Sequence, residues 1–186
     1  MNVYDFDKTI YDGDSTIDFW LYCLKKYPRS IWRVPKALWT FMLFRIRLLD
    51  REKFKECFYR FLKDVPDCES AVKAFWDKNA KKIKPWYLSQ KQNTDVIISA
   101  SPEFIISEIC ERLSVCSIAS KVDSKTGVLL SKNCRGNEKV NRFYEKYPDG
   151  VIENFYSDSK SDVSLAKIAK KPYLVKKNQI FEWEIN

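Results

Sequence analysis

The sequence contains no histidine. That absence removes Ser-His-Asp and Cys-His nucleophile chemistry and the commonest nitrogen ligand of zinc. Any acid or base work must fall to carboxylates, Lys, Tyr or Cys. Glycine is scarce, at four residues, and no internal repeat or low-complexity tract is present, which argues against a repeat or flexible architecture. Long hydrophobic runs are missing too. The run from Ala37 to Phe44 is eight residues long, against the roughly twenty a membrane-spanning helix needs. The opening MNVYDFD has neither the basic nor the apolar region of an export signal. The expectation is therefore a cytoplasmic chain whose six cysteines, Cys23, Cys57, Cys68, Cys110, Cys116 and Cys134, stay reduced and pack as buried apolar side chains. None of them forms a close CxxC pair, so a zinc site is not expected.

What is present is the composition of a globular protein: 45% apolar, 31% charged, with six Trp, ten Tyr and twelve Phe. The length allows one good core, or a core with a modest inserted subdomain. The net charge of +8 is unevenly spread. Residues 20–63 carry twelve Lys/Arg against three Asp/Glu, a net +9, so this one segment holds the whole excess.

Residues 2–6 (NVYDF) read as a short buried strand ending in an acidic turn. Helical spacing follows over 15–27, with Ser15 as N-cap and Ile17, Trp20, Leu21 and Leu24 on one face. Further helices are expected over 30–48, with Pro35 near the start, over 51–63, and over 67–81, capped by Asp67 or Ser70. Pro85 marks a break, and the pattern then changes. Apolar strands at 95–99, 114–120, 151–157 and 172–177 alternate with helices opening at Ser101–Pro102, over 136–147, and ending near Lys170. A hairpin is expected over 121–130 and a small final one into IFEWE. Alternating strands and helices imply a mostly parallel, Rossmann-like sheet. The fold class is thus α/β: residues 1–14 plus 90–186 form the core, and 15–89 form an inserted all-helical cap.

In such sheets ligands bind beyond the carboxyl ends of the strands. Those ends carry Asp5, Asp7 and Thr9, then Ser99, then Asp158 with Asp162, while Lys139 opens a helix nearby. Clustered carboxylates repel unless a cation is present, and hard oxygen ligands suit magnesium. A cation, a lysine and a hydroxyl together make a phosphate site. One carboxylate can then attack phosphorus, and a second, two residues on, can move the proton of the leaving alcohol and of water.

The ordered set DFDKT (5–9), VIIS ending at Ser99, the basic residue of CRGNEK, and YSDSKSD (156–162) resembles the haloacid dehalogenase superfamily of phosphatases. The resemblance implies Asp5 as nucleophile and Asp7 as general acid/base. It implies Ser99, with Ser101 as its alternative, Lys139 and Thr9 as phosphate contacts. It makes Asp5, the Asp7 carbonyl and Asp158 ligands of Mg2+, with Asp162 in support. Lys8 and Ser157 stand where many members have glycine, variants familiar from the helical-capped branch that includes phosphoserine phosphatases. There Asp14 lies where a substrate contact is found, although a turn or N-cap role would equally explain it. Within the branch, NCRGNEKVNRF, NFYSDSKSD and KKNQIFEW resemble the bacterial phosphatidylglycerophosphatase C family. That resemblance implies a lipid or membrane-surface phosphomonoester. The alternatives are a small soluble ester such as phosphoserine, and a non-catalytic binding protein on the same fold. The segment 29–49, with Trp32, Trp39, Phe41, Phe44 and five Arg or Lys, either packs within the cap or lies on an anionic membrane face. No nucleic-acid motif accompanies it.

Overall fold

The centre of the sheet is a strand of only two residues. In the computed structural model, which describes residues 1–185, β1 (Val3–Tyr4) pairs in parallel with strands on both sides. Six strands lie in the order β3-β2-β1-β4-β5-β6. They are β2 (Val96–Pro102), β3 (Cys116–Ser120), β4 (Asn154–Ser157), β5 (Lys171–Lys176) and β6 (Gln179–Glu182), and only the last pair is antiparallel. The expected mostly parallel Rossmann-like sheet is present.

Successive side chains of a strand point to opposite faces, and the two faces bury separate sets. Val3, Val96, Ile98 and Phe155 pack with Phe143 of α7 (Asn137–Lys146) and with Leu165 and Ala166 of α8 (Val163–Ile168). Tyr4 and Ile97 pack on the other face with Ile105, Ile106 and Ile109 of α6 (Glu103–Leu113).

The inserted helices are α1 (Ser15–Lys26), α2 (Val34–Arg45), α3 (Arg51–Tyr59), α4 (Cys68–Asn79) and α5 (Pro85–Gln90). Phe19 of α1 and Phe75 and Trp76 of α4 belong to the same buried cluster as Tyr4 and Phe6. Trp76 Nε1 also donates to the Ile105 carbonyl at 2.8 Å. Packing is therefore continuous between the sheet and α1, α4 and α5. The division at 14/15 and 89/90 remains a proposal from chain order, and the stretch from Pro28 to Cys57 contributes no residue to that buried cluster, whereas Tyr59, Phe61 and Leu62 rejoin it.

Several boundaries differ from expectation for local reasons. Asp14, not Ser15, caps α1, its carboxylate accepting the Ile17 N–H at 3.1 Å. The helix expected over 30–48 is a 3-10 turn over Pro28–Arg33 followed by α2, because Pro35 is favoured only in a first turn. The same property makes Pro85 the start of α5 rather than a plain break. The helix expected over 51–63 tightens to 3-10 geometry over Arg60–Asp64. Strand β2 runs on past Ser99 to Pro102, so Ser101 sits on the strand and α6 starts at Glu103. The expected 121–130 hairpin is reduced to one bridge, Val122 to Leu129, because Asp123 closes an Asx-type turn on Lys125 and Thr126. Cys116 is exposed rather than buried.

Candidate active site

Six of the residues singled out in the sequence, Asp5, Asp7, Ser99, Lys139, Asp158 and Asp162, line one cavity of about 180 Å³ at the carboxyl end of the sheet. Asp5 follows directly on β1, Ser99 lies on β2, Asp158 follows β4, and Lys139 is in the first turn of α7. Lys139 is fully buried and joins two carboxylates, with its Nζ 2.7 Å from Asp5 Oδ1 and 2.8 Å from Asp162 Oδ2. Ser157 Oγ donates to the same Asp162 oxygen at 2.9 Å. Burial alone would lower the lysine's pKa, but Asp5 and Asp162 outweigh it and the net direction is upward. Burial pushes Asp5 up to about 7, against the pull of Lys139, which it shares with Asp162.

Asp7 is held differently. Its Oδ1 accepts the backbone N–H of Ser15, the first residue of α1, at 2.6 Å, and its Oδ2 accepts the hydroxyl of Ser101. Burial and then the neighbouring Asp14 raise it to about 6, while the bonds from Ser101 and Ser15 oppose the rise. Two carboxylates two residues apart thus sit in different surroundings, one on a buried ammonium and one on a helix N-terminus and a hydroxyl. That separation lets one group act as a nucleophile and the other as a proton carrier.

Thr9 does not fit the expectation of a phosphate contact. It is fully buried and does not line the cavity. Its hydroxyl is 3.2 Å from Asp5 Oδ2 and accepts the Asp158 N–H at 2.9 Å, so it ties β1 to β4. Ser99 Oγ lines the cavity and accepts the Ser101 N–H at 3.1 Å. Asp14 borders the cavity beside its capping role.

Sequence reasoning missed Lys84 and Lys55 and weighed Ser101 only as the alternative to Ser99. Ser101 is the partner of Asp7. Lys84, almost completely buried, donates to the Lys8 carbonyl at 2.5 Å and to the Lys177 carbonyl at 2.6 Å, pinning the turn after β1. Lys8 itself has φ +61°, a left-handed conformation that glycine adopts at least cost. Lys55 of α3 reaches the Ala100 carbonyl between the two serines. Lys8 left a signal in the sequence, as a side chain where the resembling family often has glycine, and Ser101 left one as a second hydroxyl beside Ser99; Lys84 and Lys55 left none.

A divalent cation would need oxygen donors at the cavity, and Asp5, Asp7 and Asp158 all line it. The half-buried Asp158 carboxylate bonds no other residue and makes no ion pair among the described residues, and burial raises its pKa. Among those residues no three His, Cys, Asp or Glu side chains group as a metal cage. Two carboxylates and a carbonyl, as expected for Asp5, Asp158 and Asp7, fall below such a cage. They match the sparse protein ligation magnesium accepts.

The sequence profile described as haloacid dehalogenase-like hydrolase matches residues 3–167. No curated protein sequence matches the chain. Among solved structures, the chain is similar to a protein with unknown function from Bordetella pertussis Tohama I. That likeness has a TM-score of 0.74 at 18% identity, over 92% of this chain and 87% of that one. A probable phosphoserine phosphatase from Vibrio cholerae gives 0.66 at 14% identity, over 92% and 55%. A phospho-aspartyl intermediate analogue of phosphoserine phosphatase gives 0.55 at 16%, over 91% and 83%. At these identities the structures establish the shared fold.

Proposed function

The chain belongs to the haloacid dehalogenase-like hydrolase family, and on that premise we propose that it is a magnesium-dependent phosphomonoester phosphatase acting through an aspartyl-phosphate on Asp5. The observation that carries the reading is the split environment of two neighbouring carboxylates, Asp5 on Lys139 and Asp7 on Ser15 and Ser101.

In the first step an Asp5 oxygen forms a bond to phosphorus as the bond to the leaving oxygen breaks. Asp7 gives that oxygen its proton, and the alcohol departs. In the second step Asp7 takes a proton from water, whose oxygen attacks phosphorus, and the carboxylate of Asp5 leaves with phosphate freed. Lys139 and the Ser99 hydroxyl bear on the non-bridging oxygens, whose charge grows towards the transition state. Asp162, bonded by Ser157, holds Lys139 in place. Asp5, the Asp7 carbonyl and Asp158 would hold Mg2+, which when bound supplies positive charge beside the phosphoryl group.

The substrate class we assign is a lipid or membrane-surface phosphomonoester such as phosphatidylglycerophosphate, met by peripheral contact with the inner face of a membrane. Its support is the sequence resemblance together with the segment 31–48. There Trp32 is 86% exposed and Leu48 73%, with Leu38, Trp39, Met42 and Ile46 also open. No acidic residue lies in 28–49, while Arg29, Lys36, Arg45 and Arg47 do. Among the described residues no helix is long and apolar enough to cross a membrane, so contact would be with the surface. The second reading, a small soluble ester such as phosphoserine, is favoured by Asp14 at the cavity, where a substrate ammonium would find a carboxylate. A non-catalytic role has no comparable support.

The test is hydrolysis of p-nitrophenyl phosphate with magnesium or with EDTA, beside Asp5→Asn. Metal-dependent turnover lost in the variant supports the chemistry. Turnover that survives the variant sinks it. Co-sedimentation with anionic vesicles separates the substrate readings.

A further inference from the structure

Beside the phosphate cavity lies a second one of about 230 Å³, bounded by Asp7 and Ser101 on the sheet side and by α3 on the other. Asp7 borders both cavities, so this space adjoins the point where a leaving group would take its proton. Its wall is part aromatic, from Phe54 and Phe58, and part cationic, from Arg51, Lys55 and Arg135. None of the three cations makes an ion pair among the described residues.

Lys55 is the one of the three that is built in. It is half-buried, and its ammonium donates to the Ala100 carbonyl at 2.7 Å and to Asn133 Oδ1 at 2.6 Å. Both acceptors are neutral. Ser120 Oγ lies 2.9 Å from the Ala100 carbonyl and 3.0 Å from Asn133 Oδ1, and its single proton can serve one of these oxygens besides the lysine. Neighbouring α3 side chains hold the lysine's position. Glu52 accepts the Asn133 N–H at 3.1 Å and Glu56 the Leu129 N–H at 3.2 Å, one helical face clamped on the loop after β3. An ammonium has three donors, and two are used. A desolvated cation with no paired carboxylate is costly: Asp7 and Asp14 attract it from a distance, but burial and then Arg51 prevail and push its pKa down to about 8. A structural tether between neutral oxygens would be served as well by an uncharged amide.

We propose that Lys55 is a specificity-determining residue whose ammonium binds a second anionic group, carboxylate or phosphodiester, carried on the leaving group of the substrate. The proposal rests on the phosphatase reading above and adds to it the charge of the part that leaves. The apolar wall from Phe54 and Phe58 then flanks the carbon skeleton, and the anion faces Lys55.

The experiment compares kcat/KM for two esters of nearly the same skeleton, glycerol phosphate with a neutral leaving group and phosphoglycerate with a carboxylate on it. A third arm is a glycerol phosphate whose far hydroxyl carries a phosphodiester. It distinguishes a headgroup-type anion from a carboxylate. Wild type is expected to prefer at least one anionic ester. In Lys55→Gln, which keeps donors for both neutral oxygens but no charge, that preference falls by at least about tenfold, the equivalent of about 1.4 kcal/mol, chiefly through KM. Lys55→Arg retains most of it. An equal rate on neutral and anionic esters, or a preference unchanged in Lys55→Gln, overturns the proposal. No turnover of any ester, p-nitrophenyl phosphate included, defeats the phosphatase reading itself and is thereby told apart. If Lys55→Gln does not fold, wild type between pH 7 and pH 9 serves instead. Deprotonation then removes the charge of Lys55, which Arg51, Arg135, Asp7 and Asp14 face, and a constant preference across that range overturns the proposal.

Discussion

The carboxyl end of the sheet and the α2 surface obey opposite rules. At the sheet end, charged groups are buried and paired: Lys139 is 1% exposed between two carboxylates, and Thr9, Ser99 and Ser157 each have a hydrogen-bond partner. On α2, large apolar side chains stand in solvent and the cations stand beside them. Buried charge is tolerated only when bonded, so the first region is fixed in geometry and sensitive to any single loss. Exposed apolar surface contributes little to folding, so the second region is free to change without loss of stability. Helix α3 links the two regions, packing against α2 and lining the cavity beside Asp7.

Changes at the sheet end should have the largest effects. Asp5→Asn should lower turnover by on the order of 10⁴-fold or more while circular dichroism and the melting curve stay close to wild type. A steady rate near wild type in that variant would remove Asp5 from the mechanism. Lys139→Met strands Asp5 and Asp162 as buried carboxylates only a side chain apart. Such a loss costs about 3–5 kcal/mol, read as a lower denaturant midpoint, and a midpoint within error of wild type would mean the pair contributes no stability.

Between the two regions, Gly127 has φ +78°, and a Cβ there would meet the Tyr59 carbonyl oxygen at 2.5 Å. Gly127→Ala should cost on the order of 1–3 kcal/mol and loosen the loop that α3 grips, raising KM more than it lowers kcat. An unchanged KM would sever that link.

The prediction from pH is smaller. With Lys55 at about 8, the charged form prevails below that value and is lost above it. Preference for an anionic leaving group should therefore fall severalfold from pH 7 to pH 9 while a neutral ester follows its own profile. The smallest stability effect belongs to α2. Trp39→Ala should change stability by no more than about 0.5 kcal/mol, yet weaken co-sedimentation with anionic vesicles. A large loss of stability would show that this side chain packs inward.

The same contrast explains what was legible in the sequence. The strands along the chain and the converging acidic ends were readable, because a buried parallel strand leaves a short apolar run and its functional group follows directly on it. Asp5, Asp7, Ser99, Asp158 and Asp162 were placed that way, whereas Lys139 was read from the start of a helix and the strand order within the sheet was not read at all. Thr9 was misjudged because spacing gives a residue's place on the turn but not which way its hydroxyl is spent. Lys55 was hidden, and the bond of Ser101 to Asp7 went unread, for a related reason. Ser101 depended on β2 running three residues further than the apolar run suggested. Lys55 depended on a contact across 45 residues that no local pattern encodes. The inserted helices were found by period, but periodicity could not say that α1 and α4 share the sheet's core while α2 faces out.

The most direct test of the central claim is to quench wild-type enzyme in acid during turnover of a phosphate-labelled ester and map the label by peptide mass spectrometry. The account predicts label on the peptide containing Asp5, absent in Asp5→Asn. Turnover with no label on that peptide at any quench time would contradict it and point to direct attack by water.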